Sequence, residues 1–170
     1  MLDAVLNRRS IRHYDDRPIE PAVIEELEEA MLRSPSSRNL QPWRFVFVTD
    51  REVLRALAHA KASYGEFLGD AALGVVICGN ASASDCWIED CSIAATALML
   101  AAADAGLGTC WIQIRARQDA AGRPAEERVR EILGLPGELS VLSIISVGHP
   151  AKNKPPRERE SLAWEKVQIR

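Results

Sequence analysis

From Pro21 onward, apolar residues recur every three or four positions: Val23, Ile24, Leu27, Ala30 and Met31 share one side, and Glu25, Glu26, Glu28 and Glu29 take the other. This spacing predicts an amphipathic helix begun by a proline in its first turn. Upstream, Met1 to Asn7 reads as a short helix with Leu2, Val5 and Leu6 on one side, and Pro18 marks the loop after it. The stretch SPSSRNLQPW, Ser34 to Trp43, holds two prolines and small polar side chains, so it predicts a rigid loop rich in hydrogen-bond donors. Continuous apolar runs at Phe45 to Val48 and Leu73 to Cys78 predict buried strands. Between them, Val53, Leu54, Leu57 and Ala58 give Glu52 to Ala60 a helical stripe.

Ile88 to Ala105 is helical in pattern and apolar almost all round, which predicts a helix in the middle of the molecule or in an interface. Its most apolar part, Ile93 to Ala103, is broken only by Thr96 and bounded by Asp90 and Asp104, well short of the roughly 20 residues that span a bilayer. Gly106 stops that helix, and GLGTCWIQI from Gly106 to Ile114 continues as a strand. A short helix over Glu126 to Leu133 and a last buried strand over Leu139 to Val147 follow. Mixed strands and helices around one apolar helix, with no internal repeat, predict a single α+β domain over residues 1–170.

Composition narrows the classes of function. The 170 residues are 47% apolar, enough to bury one core, and the formal charge of -3 argues against bulk attraction to nucleic acid or an anionic membrane. MLDAVLNRRS lacks the apolar stretch of a secretory signal, so the expected compartment is the cytoplasm. Cys78, Cys86, Cys91 and Cys110 form no CxxC pair; buried thiols are the expected reading, with no metal site.

Basic charge gathers at the two ends. The tail from Ala151 carries six basic and three acidic residues, and NRRSIRHY near the start packs Arg8, Arg9 and Arg12 around Ser10. Arginines this close repel one another unless they spread over a solvated face or share an anion. With Lys154, Arg157 and Arg159 they form a candidate phosphate site. The Ser36, Ser37, Asn39 and Gln41 loop adds polar donors, and the GLGT turn adds backbone that a flat ligand can approach. No P-loop or GxGxxG fingerprint is present. A ligand with a phosphate at one end and a planar hydrogen-bonding ring at the other, such as flavin mononucleotide (FMN), suits this set.

RRSIRHYDDRPI, then SPSSRNLQPWRFVFV, GLGTCWI and VGHP with a basic RER tail, resembles the FMN-dependent nitroreductase family, in order and over nearly the whole chain. The resemblance implies a nitroreductase-like α+β fold: a central, mostly antiparallel sheet flanked by helices, in a homodimer with FMN held between subunits. It implies that Arg8, Arg9 and Ser10 meet the phosphate and ribityl chain, that Arg157 and Arg159 close on the phosphate from the tail, and that Arg12 lies near the pyrimidine end. Ser36, Ser37 and Asn39 would come from the other subunit, while Gly108 and Thr109 offer backbone near the reactive edge of the ring. Gln41 and Trp43 would hold the loop, His149 would be structural, and Tyr64, Glu66 and Phe67 would line a substrate pocket. The short segment between Cys78 and Trp87 leaves little room for a helical cover, so a more open site, or one covered by the partner, is expected.

The activity so implied is an NAD(P)H oxidoreductase: NADH or NADPH reduces FMN, and the flavin then passes electrons to a nitroaromatic, quinone or other small acceptor in ping-pong order, with no catalytic side chain required. Related chemistries remain open, among them dehalogenation, enone reduction, azoline oxidation and flavin fragmentation. So do a non-enzymatic flavin-binding protein and a plain anion-docking or protein-docking surface.

Overall fold

The computed structural model describes residues 3–170; Met1 and Leu2, the first positions of the expected N-terminal helix, lie outside the described residues. In chain order the elements are α1 (Asp3–Asn7), α2 (Pro21–Leu32), β1 (Trp43–Val48), α3 (Arg51–Ala58), β2 (Leu73–Asn80), α4 (Trp87–Asp104), β3 (Gly108–Gln113), α5 (Ala125–Leu133) and β4 (Leu139–Gly148). Every element expected from the apolar pattern is present, with ends shifted by a few residues. Short 3-10 turns at Ser37–Asn39, Glu66–Asp70, Arg159–Ser161 and Trp164–Lys166 were not expected, because three to five residues carry no period.

The four strands form one antiparallel sheet in the order β1-β2-β4-β3. Alternation along β2 divides the core: Leu73, Val75 and Ile77 face α2 and α4, and Val76 and Cys78 face α3 and α5. The molecule is therefore a sheet with helices on both faces. A bulge opposite Ile77 and Cys78 shifts the register of β4 by one residue, so that Val141 and Ile144 lie on the same face. The carbonyl of Leu142, at that bulge, accepts from the N–H groups of both Ile114 (3.2 Å) and Arg115 (3.0 Å), closing the outer end of β3.

Local chemistry sets the element ends. Asp50 caps α3 by accepting from the N–H of Glu52 at 2.8 Å and of Val53 at 3.0 Å. Helix α4 ends where Gly106 takes a left-handed φ of 73° and the N–H of Leu107 reaches back to the carbonyl of Ala102 at 2.7 Å. This stop turns the chain directly into β3. Leu98, Ala94, Ala95 and Cys91 on α4 are fully buried against the sheet, whereas Ile93 keeps 43% of its surface exposed. The expected central helix is thus central on one side only.

Candidate functional site

The N-terminal segment after α1 lies along the outer edge of β3. Ser10 bridges Thr109 in parallel fashion, and the N–H of Ile11 donates to the carbonyl of Thr109 at 2.9 Å. Tyr14 then pairs with Pro150, and the N–H of Ala151 returns to the carbonyl of His13 at 3.0 Å. The Tyr14 hydroxyl fixes this strap, donating to the carbonyl of Ile11 at 2.7 Å and lying 2.7 Å from Ser146 Oγ. Burial disfavours its anion and raises its pKa well above the ordinary tyrosine value. Gly108 is required here, because a Cβ would sit 2.7 Å from the Cβ of Ile11. Arg8 and Arg9 are therefore held at the end of α4 by a strap that tolerates no side chain at position 108.

Two clefts meet at Arg8 and Arg9. One, of about 280 Å³, is floored by Ala103, Gly106, Leu107, Gly108 and Thr109 and rimmed by Asn7, Asn153 and Lys154. The second, of about 390 Å³, lies between α1 and the tail and brings Arg157 and Arg159 to Arg8 and Arg9, with Val5, Leu6, Leu162 and Trp164 as its apolar wall. The tail is tied down by Arg9, which donates to the carbonyl of Pro155, and by Lys154 Nζ, which donates to the carbonyl of Ser10 at 3.0 Å. Arg159 also stacks on Trp164, 4.7 Å from the ring centroid.

The expected phosphate ligands Arg8, Arg9, Arg157 and Arg159 thus converge from the two ends of the chain, with Ser10, Gly108 and Thr109 beside them. None of the four arginines pairs with a carboxylate among the described residues. Thr109 is 2% exposed, and its Oγ1 has no hydrogen-bond partner among the described residues. Unneutralised cations beside an unpaired buried hydroxyl suit an anion that also forms hydrogen bonds, and the phosphate end of FMN has that chemistry.

Arg12 stands apart from both clefts, its guanidinium 5.7 Å from the centroid of the Phe67 ring. Phe67 is half-buried, whereas Tyr64 is 81% exposed. Cys110 faces the same neighbourhood; burial raises its pKa, opposed chiefly by the charge of Arg12. Burial also pushes the Cys78 and Cys91 thiols up to about 12, in keeping with inert core thiols. His149 lies 3.2 Å from the carbonyl of Pro18, a contact that ties two loops.

The loop bearing Ser36, Ser37 and Asn39 is elsewhere. Ser37 N–H donates to Asp90 in the first turn of α4 at 2.8 Å, whereas the arginine clefts sit at the far end of that helix. The 13 steps from Asp90 to Ala103 separate the two by about 20 Å at 1.5 Å per residue. Ser36 Oγ accepts from Gln41 N–H at 3.0 Å and Asn39 Oδ1 from Gln41 Nε2 at 3.3 Å, so Gln41 holds the loop as expected. Sequence reasoning did not single out Asn7 or Asn153 at the cleft, since an asparagine in a loop carries no distinctive pattern. Asp90 marks only the edge of an apolar stretch in the sequence, and its link to the loop is purely tertiary.

Among the described residues no helix is long and apolar enough to cross a membrane, and no cluster of His, Cys, Asp or Glu has the makings of a metal site. The model of the Nitroreductase family matches residues 5–64 and 55–149. The FMN-dependent nitroreductase of Clostridium difficile R20291 superposes with a TM-score of 0.96 at 38% identity, covering 99% of this chain and 98% of that one. A protein of Archaeoglobus fulgidus, provisionally named NADH dehydrogenase/NAD(P)H nitroreductase, is 37% identical over 160 residues, 90% of this chain and 87% of its own. The NADPH:FMN oxidoreductase of Vibrio harveyi, solved in complex with NAD+, matches with a TM-score of 0.80 at 28% identity, over 98% of this chain and 75% of that one. The family model and a fold shared along nearly the whole molecule agree, and the chain belongs to the nitroreductase family.

Proposed function

We propose that this protein is a homodimeric FMN oxidoreductase that takes electrons from NADH or NADPH and passes them to a small oxidised acceptor such as a nitroaromatic or quinone. The observation that carries this reading is the convergence of Arg8, Arg9, Arg157 and Arg159, none of them paired with a carboxylate among the described residues, beside the unpaired hydroxyl of Thr109. FMN bound there supplies hydride acceptance from the nicotinamide and electron delivery to the acceptor, in two half-reactions that share one site.

The chain's own residues bind and orient. Arg8 and Arg9, with the tail arginines, neutralise the phosphate, and Ser10 and Thr109 offer hydroxyls beside it. Arg12, on the Phe67 side of the strap, offers a cation for the pyrimidine end, where reduction adds negative charge. No side chain is required as nucleophile or general base.

The distance along α4 supports a site shared between copies. Two α4 helices packed antiparallel about a twofold axis would bring the Ser36 to Asn39 loop of one copy to the arginine clefts of the other. The open side of α4 suits that packing, since Ile93, Thr96, Ala97 and Leu100 share it and none is fully buried.

The test is an absorbance spectrum of the purified protein with FMN, before and after anaerobic addition of NADH and then NADPH. Flavin bands that bleach and return with an acceptor are expected. Bands that persist with both donors would replace the reductase by a flavin-binding protein, and a protein that stays colourless with FMN would end the reading.

A further inference from the structure

The loop from Ser34 to Pro42 is held in an unfavourable shape. Arg38, Asn39 and Gln41 adopt φ of 53°, 54° and 47°, and none of the three is glycine. Asparagine tolerates the left-handed region; arginine and glutamine rarely occupy it. Such a segment persists only where its surroundings over-determine it.

Three contacts do so here. Asn80 N–H donates to the carbonyl of Pro42 at 2.8 Å, and Arg38 pairs with Asp85, an exposed contact that solvent weakens. The third is Asp90. It is 3% exposed, with Oδ1 accepting from Ser37 N–H at 2.8 Å and Oδ2 lying 3.5 Å from Ser84 Oγ, itself 2% exposed. A carboxylate this buried needs partners, and here its close donor comes from the loop. Its place in the first turn of α4 adds the favourable field of the helix start.

We propose that Asp90 is a positioning residue for the flavin site: its carboxylate locks the 34–42 loop in the shape that presents Ser36, Ser37 and Asn39 to the arginine cleft of a second copy. This rests on the shared site of the proposed function. Asp90 itself touches no ligand and acts through the backbone of Ser37. The clamp ties the loop to the same helix whose open side would form the dimer, so loop shape and loop placement depend on one element.

The experiment measures FMN affinity and apoprotein melting together. Asp90→Ala is expected to weaken FMN binding about tenfold or more, and Asp90→Asn, whose side-chain oxygen still accepts from Ser37 N–H, to restore most of it. If Asp90→Ala fails to fold, Ser37→Pro carries the test. Ser36 is already extended at φ -137° and ψ 156°, as a residue before proline prefers, so this change deletes the N–H with little strain. Ser37→Pro should bind FMN less well than Ser37→Ala, and equal affinity of the two would show that the Ser37 N–H held by Asp90 does not set the site.

Mixed dimers pair a subunit carrying Asp90→Ala with one carrying Arg8→Ala and Arg9→Ala. They should regain half of the wild-type sites, because one cleft then has intact arginines and an intact loop. Melting that falls with unchanged FMN affinity would reduce Asp90 to a core residue and overturn the proposal. Weakened affinity with no site regained in mixed dimers would overturn its action across subunits, and a wild-type protein that takes up no FMN would instead overturn the functional reading beneath it.

Discussion

Replacing Thr109 by valine should move stability and affinity in opposite directions. The Thr109 side chain is 2% exposed and its Oγ1 has no partner, so in the ligand-free protein a hydroxyl is buried without a hydrogen bond. Mutational data put the cost of such burial at about 1–3 kcal/mol. Valine keeps the shape and the β-branched preference of a strand position, and it removes the hydroxyl. Thr109→Val should therefore stabilise the apoprotein by roughly 1 kcal/mol, a rise in Tm of about 2–4 °C for a chain of this size. If FMN in the cleft gives this hydroxyl a partner, the new hydrogen bond to a charged group contributes about 1.5–3 kcal/mol. The variant should then bind FMN about tenfold or more weakly, so its gain in Tm shrinks or reverses at saturating flavin. Calorimetric melting of both proteins at one protein concentration, with and without FMN, reads both effects. A lower apoprotein Tm, or unchanged FMN affinity, would show that Thr109 is satisfied within the fold and is no ligand donor.

Three further outcomes follow from the same geometry. Arg8→Ala with Arg9→Ala should weaken FMN by about a hundredfold or more in calorimetric titration at low salt, since charge-assisted bonds contribute about 1.5–3 kcal/mol each; a loss under tenfold would place the phosphate elsewhere. Gly108→Ala should displace the strap from β3, because its Cβ would lie 2.7 Å from Ile11 Cβ, so FMN binding and Tm should both fall, and wild-type affinity would remove the strap from the site. Tyr14, Cys78 and Cys91 ionise less readily when folded than when unfolded, because burial penalises their anions. Above about pH 9 the unfolded chain then binds fewer protons than the folded one, so stability should fall as pH rises. Tyr14→Phe should flatten the part of that fall above about pH 10 in denaturant titrations, and an unaltered slope would refute the assignment.

The tertiary structure decided where the sequence-readable pieces stand. The sequence joined RRSIR, the hydroxyl loop and the RER tail in one expected site, because each groups residue types that repel or waste donors without a ligand; the structure brings RRSIR and the tail together and leaves the loop at the other end of α4. The helices and strands were legible for a similar reason: an apolar stripe has to be buried, and its period fixes the element that buries it. Helix α4 shows the limit. Its composition announced an apolar helix, but only packing showed that Leu98 is buried against the sheet while Ile93 is left open.

The same holds at the site. The sequence by itself determined the family, the sheet's strands and the arginines, since these depend on local pattern and residue chemistry. It did not determine that Arg8 and Arg9 meet Arg157 and Arg159 nearly 150 positions away, that Arg12 turns toward Phe67, or that Asp90 grips Ser37. Those contacts join distant segments, and their energy exists only once the sheet and α4 have fixed the distances between them. A hydroxyl such as that of Thr109 looks ordinary in the chain and becomes informative only when folding removes it from water and leaves it unpaired.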